Sequence, residues 1–168
     1  MKFLRILGIS IKRGTVTVKY PFEQPLVTPE FRGRIEIDPA KCVGCGACVL
    51  ICPPNALTMN REGKSVILRY FVGRCIFCAM CADVCPQQAI NVTKDFELAT
   101  SNVLDLYTDI EHDAAVCVSC GAPYLTKKLV ENVSNNLSVR SNRWSLCPEC
   151  RRKETVRRIA SRITGVPR

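Results

Sequence analysis

A chain of 168 residues allows one domain of ordinary size, or a small core with attached segments. Its twelve cysteines accompany apolar runs of only about six residues, too short for a membrane span. The opening MKFLRILGIS has no secretory h-region, so the expectation is a cytosolic chain whose thiols stay reduced and whose close cysteine pairs mean metal, not disulfides. The formal charge of +9 invites a nucleic-acid partner, but six Phe, four Tyr and one Trp are too few for a base-stacking surface, and none is expected.

Residues 1–33 are basic, with no acid before Glu23. Phe3, Leu7 and Ile11 follow helical spacing, so Lys2–Arg13 is predicted as an amphipathic helix with Gly14 as its stop. Pro21, Pro25 and Pro29 make Thr15–Phe31 an extended arm. Such an arm has little core of its own. It either folds back on its own domain or docks on another subunit or a membrane-facing surface.

Residues 34–94 hold a repeat. Cys42, Cys45, Cys48, Cys52 and Pro53 recur as Cys75, Cys78, Cys81, Cys85 and Pro86, every offset being 33. Ala56/Ala89, Leu57/Ile90 and Val43/Ile76 keep the same offset. Each half reads as strand, cysteine loop, short helix, strand. Arg34–Asp38 alternates as the first strand, Arg61–Lys64 is a turn, and Val66–Val72 is the strand entering the second half.

Both halves carry C-x2-C-x2-C-x3-C-P. A cubane needs one thiolate on each iron. Three cysteines at spacing three wrap a loop around one cube, and the fourth, on the following helix, reaches the other. The reading is therefore two [4Fe–4S] clusters, one held by Cys42, Cys45, Cys48 and Cys85, the other by Cys75, Cys78, Cys81 and Cys52. With every iron taken by a thiolate there is no substrate site, so the chain passes electrons and has no catalytic residues of its own. Structural zinc is the weaker alternative for these eight. Gly44 and Gly46 open the first loop, whereas Ile76, Phe77 and Met80 shield the second, which predicts a lower potential for the second cluster. Lys41 and Arg74 precede both motifs and cancel in that comparison.

Residues 95–113 contain six acids and no Lys or Arg and read as an acidic linker, with the lone His112 an exposed residue in it. In residues 114–168, Cys117-x2-Cys120 and Cys147-x2-Cys150 form two knuckles of a four-cysteine metal module. Zinc suits it, as does a single rubredoxin-like iron. Leu125, Leu129 and Val133 suggest a helix between the knuckles, and Trp144 is placed to cover the site. Val156, Ile159, Ala160 and Ile163 share one face of a basic helix ending near Gly165 and Pro167. That helix is a solvated face, a docking element for an acidic partner, or a partner of the chain's own acidic stretch. Each cluster or zinc site with four thiolates carries roughly −2, so the loaded chain has a net charge of only about +3.

The fold expected is α+β: a bacterial 2[4Fe–4S] ferredoxin-like core at 34–94, an extended N-terminal arm at 1–33, and a small zinc-ribbon-like four-cysteine module at 114–168. Tyr20-Pro21, Phe31-Arg32-Gly33, the Cys42–Pro53 motif, Gly73-Arg74-Cys75-Ile76-Phe77-Cys78 and Asp95-Phe96-Glu97-Leu98-Ala99 together resemble the two-cluster iron–sulfur subunit of complex I and of membrane-bound [NiFe]-hydrogenase complexes. The C-terminal CxxC…CPEC extension resembles the corresponding subunit of formate hydrogenlyase-type complexes. The resemblance implies a relay subunit on the cytoplasmic side of the membrane, peripheral and without a span. Its implied partners are a single-cluster small subunit and a large catalytic subunit, with a soluble ferredoxin or a formate dehydrogenase subunit as donor. The competing reading is a free ferredoxin shuttling between enzymes, which the basic charge, Pro-rich arm and second metal module oppose.

Overall fold

The structure is a computed structural model that describes residues 2–14, 18–136 and 142–164. The chain divides into two units, 1–31 and 32–168. The first consists of helix α1 (Lys2–Arg13) and, over the described residues 18–31, turns and irregular chain. Gly14 follows α1 with φ +64 and donates its N–H to the Ser10 carbonyl at 3.1 Å, the stop predicted from the sequence. Leu4, Leu7 and Ile11 of α1 are exposed. Thr15, Val16 and Thr17 of the predicted arm lie outside the described residues.

The second unit begins with the repeat. Strand β1 (Ile35–Ile37), helix α2 (Ala47–Ile51) and strand β2 (Leu57–Glu62) form the first half. Strand β3 (Ser65–Phe71), a 3-10 turn at Val72–Arg74, helix α3 (Met80–Asp83) and strand β4 (Ile90–Val92) form the second. The halves interlock. β1 pairs antiparallel with β4, Ile37 opposite Ile90, and β2 pairs antiparallel with β3, Leu57 opposite Tyr70. The repeat extends to backbone conformation. Gly44 and Gly46 have φ +66 and +78; their counterparts Phe77 and Ala79 have φ +53 and +67 although they carry side chains. A left-handed φ costs a non-glycine residue about 1–2 kcal/mol, so the second loop retains this shape at a local cost. Ile35, Leu57, Leu68, Tyr70 and Ile90 form the buried core between the halves.

The chain then adds strand β5 (Tyr107–Val116), strand β6 (Pro123–Thr126), helix α4 (Lys127–Asn136) and helix α5 (Pro148–Thr164). β5 pairs antiparallel with β3 and with β6, giving the order β2-β3-β5-β6. Here the structure differs from the sequence reading. Residues 107–113 of the stretch read as a linker form the first part of β5. Its acids alternate with inward residues: Ile110, His112 and Ala114 are buried, while Asp109, Glu111 and Asp113 face out. The charge count masked a two-residue period. Asp109 pairs in register with Arg69, whose guanidinium donates to both carboxylate oxygens at 2.8 and 2.6 Å.

His112 is consequently buried at 4% exposure, not exposed as its acidic neighbours suggested. Leu125 lies on β6, and only Leu129 and Val133 of its predicted helical set lie on α4. α5 carries Val156, Ile159, Ala160 and Ile163, all exposed. Arg158 of α5 pairs with Glu154 one turn back, whereas Asp95, Asp109 and Asp113 pair with Arg34, Arg69 and Lys127. The helix end predicted at Gly165 and Pro167 lies outside the described residues.

Gly33 marks where the chain enters β1. Its N–H donates to the Thr93 carbonyl at 2.8 Å, and a Cβ there would stand 2.3 Å from the Asp95 carbonyl oxygen and 2.5 Å from its nitrogen. The obstacle is backbone, which cannot swing aside. Gly33→Ala should therefore destabilise the second unit by about 1–3 kcal/mol, the usual cost of overpacking, read as a lower denaturation midpoint of the cluster-loaded protein.

Candidate metal centres

The eight cysteines of the repeat fall around two cavities. The first is lined by Cys42, Cys45, Cys48 and Cys85, with Ile37, Leu68 and Ile90 as apolar walls. The second is lined by Cys52, Cys75, Cys78 and Cys81, with Ile35, Leu57 and Tyr70 as walls. Each cavity draws three cysteines from one loop and the fourth from the other half. The walls cross too: Ile35 of the first half lines the second cavity, and its counterpart Leu68 lines the first. Ala56 and Ala89, one turn beyond the crossing cysteines, donate N–H to Cys52 Sγ at 3.3 Å and Cys85 Sγ at 3.2 Å.

Burial pushes the Cys48 thiol up to about 12 and the Cys81 thiol up to about 11, and raises Cys42 as well. Nearby cysteines add to the rise; Cys48 responds to Cys42, Cys45 and also Cys81 of the other set. Protein alone would keep these thiols protonated. A strongly positive core among them would reverse that preference. Four converging sulfurs, apolar walls and N–H donors aimed at sulfur fit a cuboidal iron–sulfur group better than a hard, oxygen-seeking ion.

The two loops are held differently. Thr126 at the end of β6 donates its hydroxyl to the Val43 carbonyl, and Lys128 on α4 donates to the Pro39 carbonyl at 2.8 Å. A Cβ at Gly44 would lie 2.5 Å from Thr126 Cγ2 and 3.1 Å from His112 Cδ2. The first loop is thus braced by β5, β6 and α4. Both ring nitrogens of His112 are buried without hydrogen-bond partners among the described residues. Burial, then Lys128, lowers its pKa, which favours the neutral ring. On the second loop, Arg32 donates to the Cys78 carbonyl at 3.1 Å, and Ile76, the counterpart of Val43, is 60% exposed. Sequence reasoning missed Thr126, His112, Lys128 and Arg32. Only Arg32 carried a signal, through its place beside Gly33.

Cys117, Cys120, Cys147 and Cys150 form a third centre, their Sγ atoms all within 4.8 Å of one another. Cys117 follows β5, and Cys147 and Cys150 sit at the start of α5. The Cys147 N–H donates to Cys117 Sγ at 3.3 Å and the Cys150 N–H to Cys147 Sγ at 3.4 Å. The Cys147 N–H, followed by further backbone donors, holds the Cys117 thiol down to about 6; neighbouring thiols, Cys120 foremost, push Cys150 up to about 12. One thiolate ready at neutral pH beside three convergent sulfurs suits a tetrahedral thiophilic metal. Ala115, Cys117, Tyr124 and Cys147 make its small core, with Val130 and Leu146 against it. Trp144 is half-buried; its carbonyl accepts from the Tyr124 hydroxyl, and the Arg151 guanidinium lies 5.4 Å from its ring centre.

Known proteins share this pattern. A family profile described as a 4Fe-4S dicluster domain matches residues 41–90, and a second of the same description matches residues 74–122, the two overlapping on the second repeat. Formate hydrogenlyase subunit 6 of Escherichia coli (strain K12) is 37% identical over 154 residues, 86% of this chain and 86% of that protein. NAD(P)H-quinone oxidoreductase subunit I of Prochlorococcus marinus (strain AS9601) is 45% identical over 97 residues, 54% of this chain and 47% of that protein. A chain in the structure of the membrane-bound sulfane sulfur reductase, an archaeal respiratory membrane complex, is 34% identical, with a TM-score of 0.42 over 52% of this chain and 48% of that one. The chain belongs to the iron–sulfur family of formate hydrogenlyase subunit 6 and is homologous to NAD(P)H-quinone oxidoreductase subunit I.

The braced loop predicts a site-selective effect. Gly44→Ala meets Thr126 and needs φ +66, so it should strip iron from the first cavity while the second keeps its signal in electron paramagnetic resonance. Gly46→Ala is the control. Its Cβ would find only Met59, at 3.8 Å. Its counterpart Ala79 already tolerates the same backbone shape, so both sites should stay loaded.

Proposed function

We propose, on the premise of this family membership, that the chain is the electron-relay subunit of a membrane-bound multi-subunit oxidoreductase, carrying two [4Fe–4S] clusters. The observation that carries this reading is the pair of crossed cysteine cavities. When bound, such clusters supply one-electron transfer without bond chemistry. Cys42, Cys45, Cys48 and Cys85 hold one, and Cys52, Cys75, Cys78 and Cys81 the other. The apolar walls exclude water, and the N–H groups of Ala56 and Ala89 soften the charge on the crossing thiolates. Cys81 of the second set raises Cys48 of the first, which supports two sets within electrostatic reach.

In this role the chain would receive electrons from a soluble ferredoxin or a formate dehydrogenase subunit and deliver them to a single-cluster small subunit beside the large catalytic one. Such a subunit would sit at the membrane peripherally, on the cytoplasmic side. The exposed apolar residues of α1 and α5 are available for subunit contacts, and among the described residues no helix is long and apolar enough to cross a membrane.

For the four-cysteine centre we favour structural zinc in a zinc-ribbon-like module, because Arg151 follows Cys150 where a rubredoxin knuckle uses glycine to ease the turn. Zinc has no second accessible oxidation state and would only brace the hairpin and α5. Natively purified protein should contain one zinc besides the cluster iron. One extra iron with a rubredoxin-like ferric signal, and no zinc, would make this a third redox site.

The relay reading is tested by ligand pairs. Cys52→Ser combined with Cys75→Ser should cost one cluster and spare the other, leaving about four of eight irons. Cys52→Ser combined with Cys42→Ser should damage both. The reverse result would remove the crossed assignment. The unsubstituted chain should co-purify in a stoichiometric complex with a large catalytic subunit.

A further inference from the structure

The repeat is nearly symmetric at its two cavities, but one wall breaks the symmetry. Ile37 lines the first cavity, and its counterpart 33 residues on is Tyr70, which lines the second. Tyr70 lies in the middle of the sheet, opposite Leu57 on β2 and Thr108 on β5, and is 3% exposed. Its hydroxyl is buried and has no hydrogen-bond partner among the described side chains and backbone that meets ordinary geometry. A phenol O–H left unsatisfied in an apolar wall is costly, and native structures rarely keep one. Tyr70 shares the lining of the second cavity with Cys52, Cys75, Cys78 and Cys81, and Cys75 is the cysteine whose side chain interacts with the phenol.

We propose that Tyr70 donates a hydrogen bond from its hydroxyl to the sulfur of Cys75 and thereby raises the reduction potential of the cluster in the second cavity. The inference rests on the assignment of Cys52, Cys75, Cys78 and Cys81 to one cluster. A hydrogen bond to a ligating sulfur withdraws electron density and favours the more negative, reduced state. One electron is added on reduction, the phenol keeps its proton, and no bond forms or breaks. The first cavity has a methyl-terminated side chain at the equivalent point and receives no such donor. Tyr70 therefore raises the second centre's potential above what its cavity would otherwise set, without acting on the first. It is a positioning and tuning residue, not a ligand.

The test uses the full chain loaded with both clusters and titrated potentiometrically by electron paramagnetic resonance, with Cys42→Ser and Cys75→Ser assigning the signals. Tyr70→Phe should lower the second cluster's potential so that its reduced-to-oxidised ratio at fixed ambient potential falls about tenfold, which is about 59 mV for one electron; the first cluster should not move. Replacing the chain's tyrosines with 3-fluorotyrosine supplies a more acidic, stronger donor in nearly the same volume, and should shift the same cluster the opposite way. Tyr20, Tyr107 and Tyr124 line neither cavity, so that effect would belong to Tyr70. Opposite shifts confined to one cluster would not follow from a packing defect. Unchanged potentials with both clusters present, or equal shifts of both, would overturn the inference alone. Should Tyr70→Phe fail to fold, the fluorotyrosine titration decides by itself. Failure of the unsubstituted chain to hold eight irons would instead overturn the cluster assignment beneath it.

Discussion

Eight sulfurs gathered around two apolar-walled cavities are the constraint on which the rest of the second unit depends. Burial drives the thiols of Cys48 and Cys81 far toward the neutral form, so the cavities suit a group that brings compensating positive charge. The fourth cysteine of each set comes from the opposite half. Neither half can complete a site alone, and folding of the halves is therefore coupled to completion of both. β1 pairing with β4, and β2 with β3, serve the same end. Each strand pair joins the two halves, so the crossing cysteines are held by hydrogen-bonded ladders and not by loops alone.

The segments added to this symmetric core act asymmetrically. β5 extends the sheet at β3 and turns into β6, whose last residue bonds the first cysteine loop. Both knuckles of the four-cysteine centre flank this hairpin and helix, so a metal there would stiffen the brace on the first loop. On the second loop Arg32 donates to the Cys78 carbonyl and Ile76 is exposed. Shielding by side chains, inferred from composition at Ile76, therefore does not describe how the loops differ. They differ in which segment of the chain braces the first and in the phenol that lines the second.

Charge follows the same division. The acids of 95–113 are used locally, as outward members of β5 and in pairs with Arg34, Arg69 and Lys127. These are exposed pairs, worth little each, and they orient side chains more than they stabilise the fold.

The repeat, the paired CxxC knuckles and the short strands around them were legible in the linear sequence, because all of these are set by covalent spacing and local pattern. Ligand spacing reflects the size of the group it must wrap, and a 33-residue offset repeated in cysteine, proline and alanine leaves few other readings. What required the tertiary structure was every contact between residues far apart in the chain. His112 was misread because its neighbours are acidic, while its burial is decided by the side of β5 it occupies and by Gly44, 68 positions earlier. Thr126 meets Val43 and Lys128 meets Pro39 only after the later segments have packed on the repeat. Spacing along a chain determines which atoms can share a small ligand; the second layer around that ligand depends on how strands register and helices dock, and no local pattern encodes that.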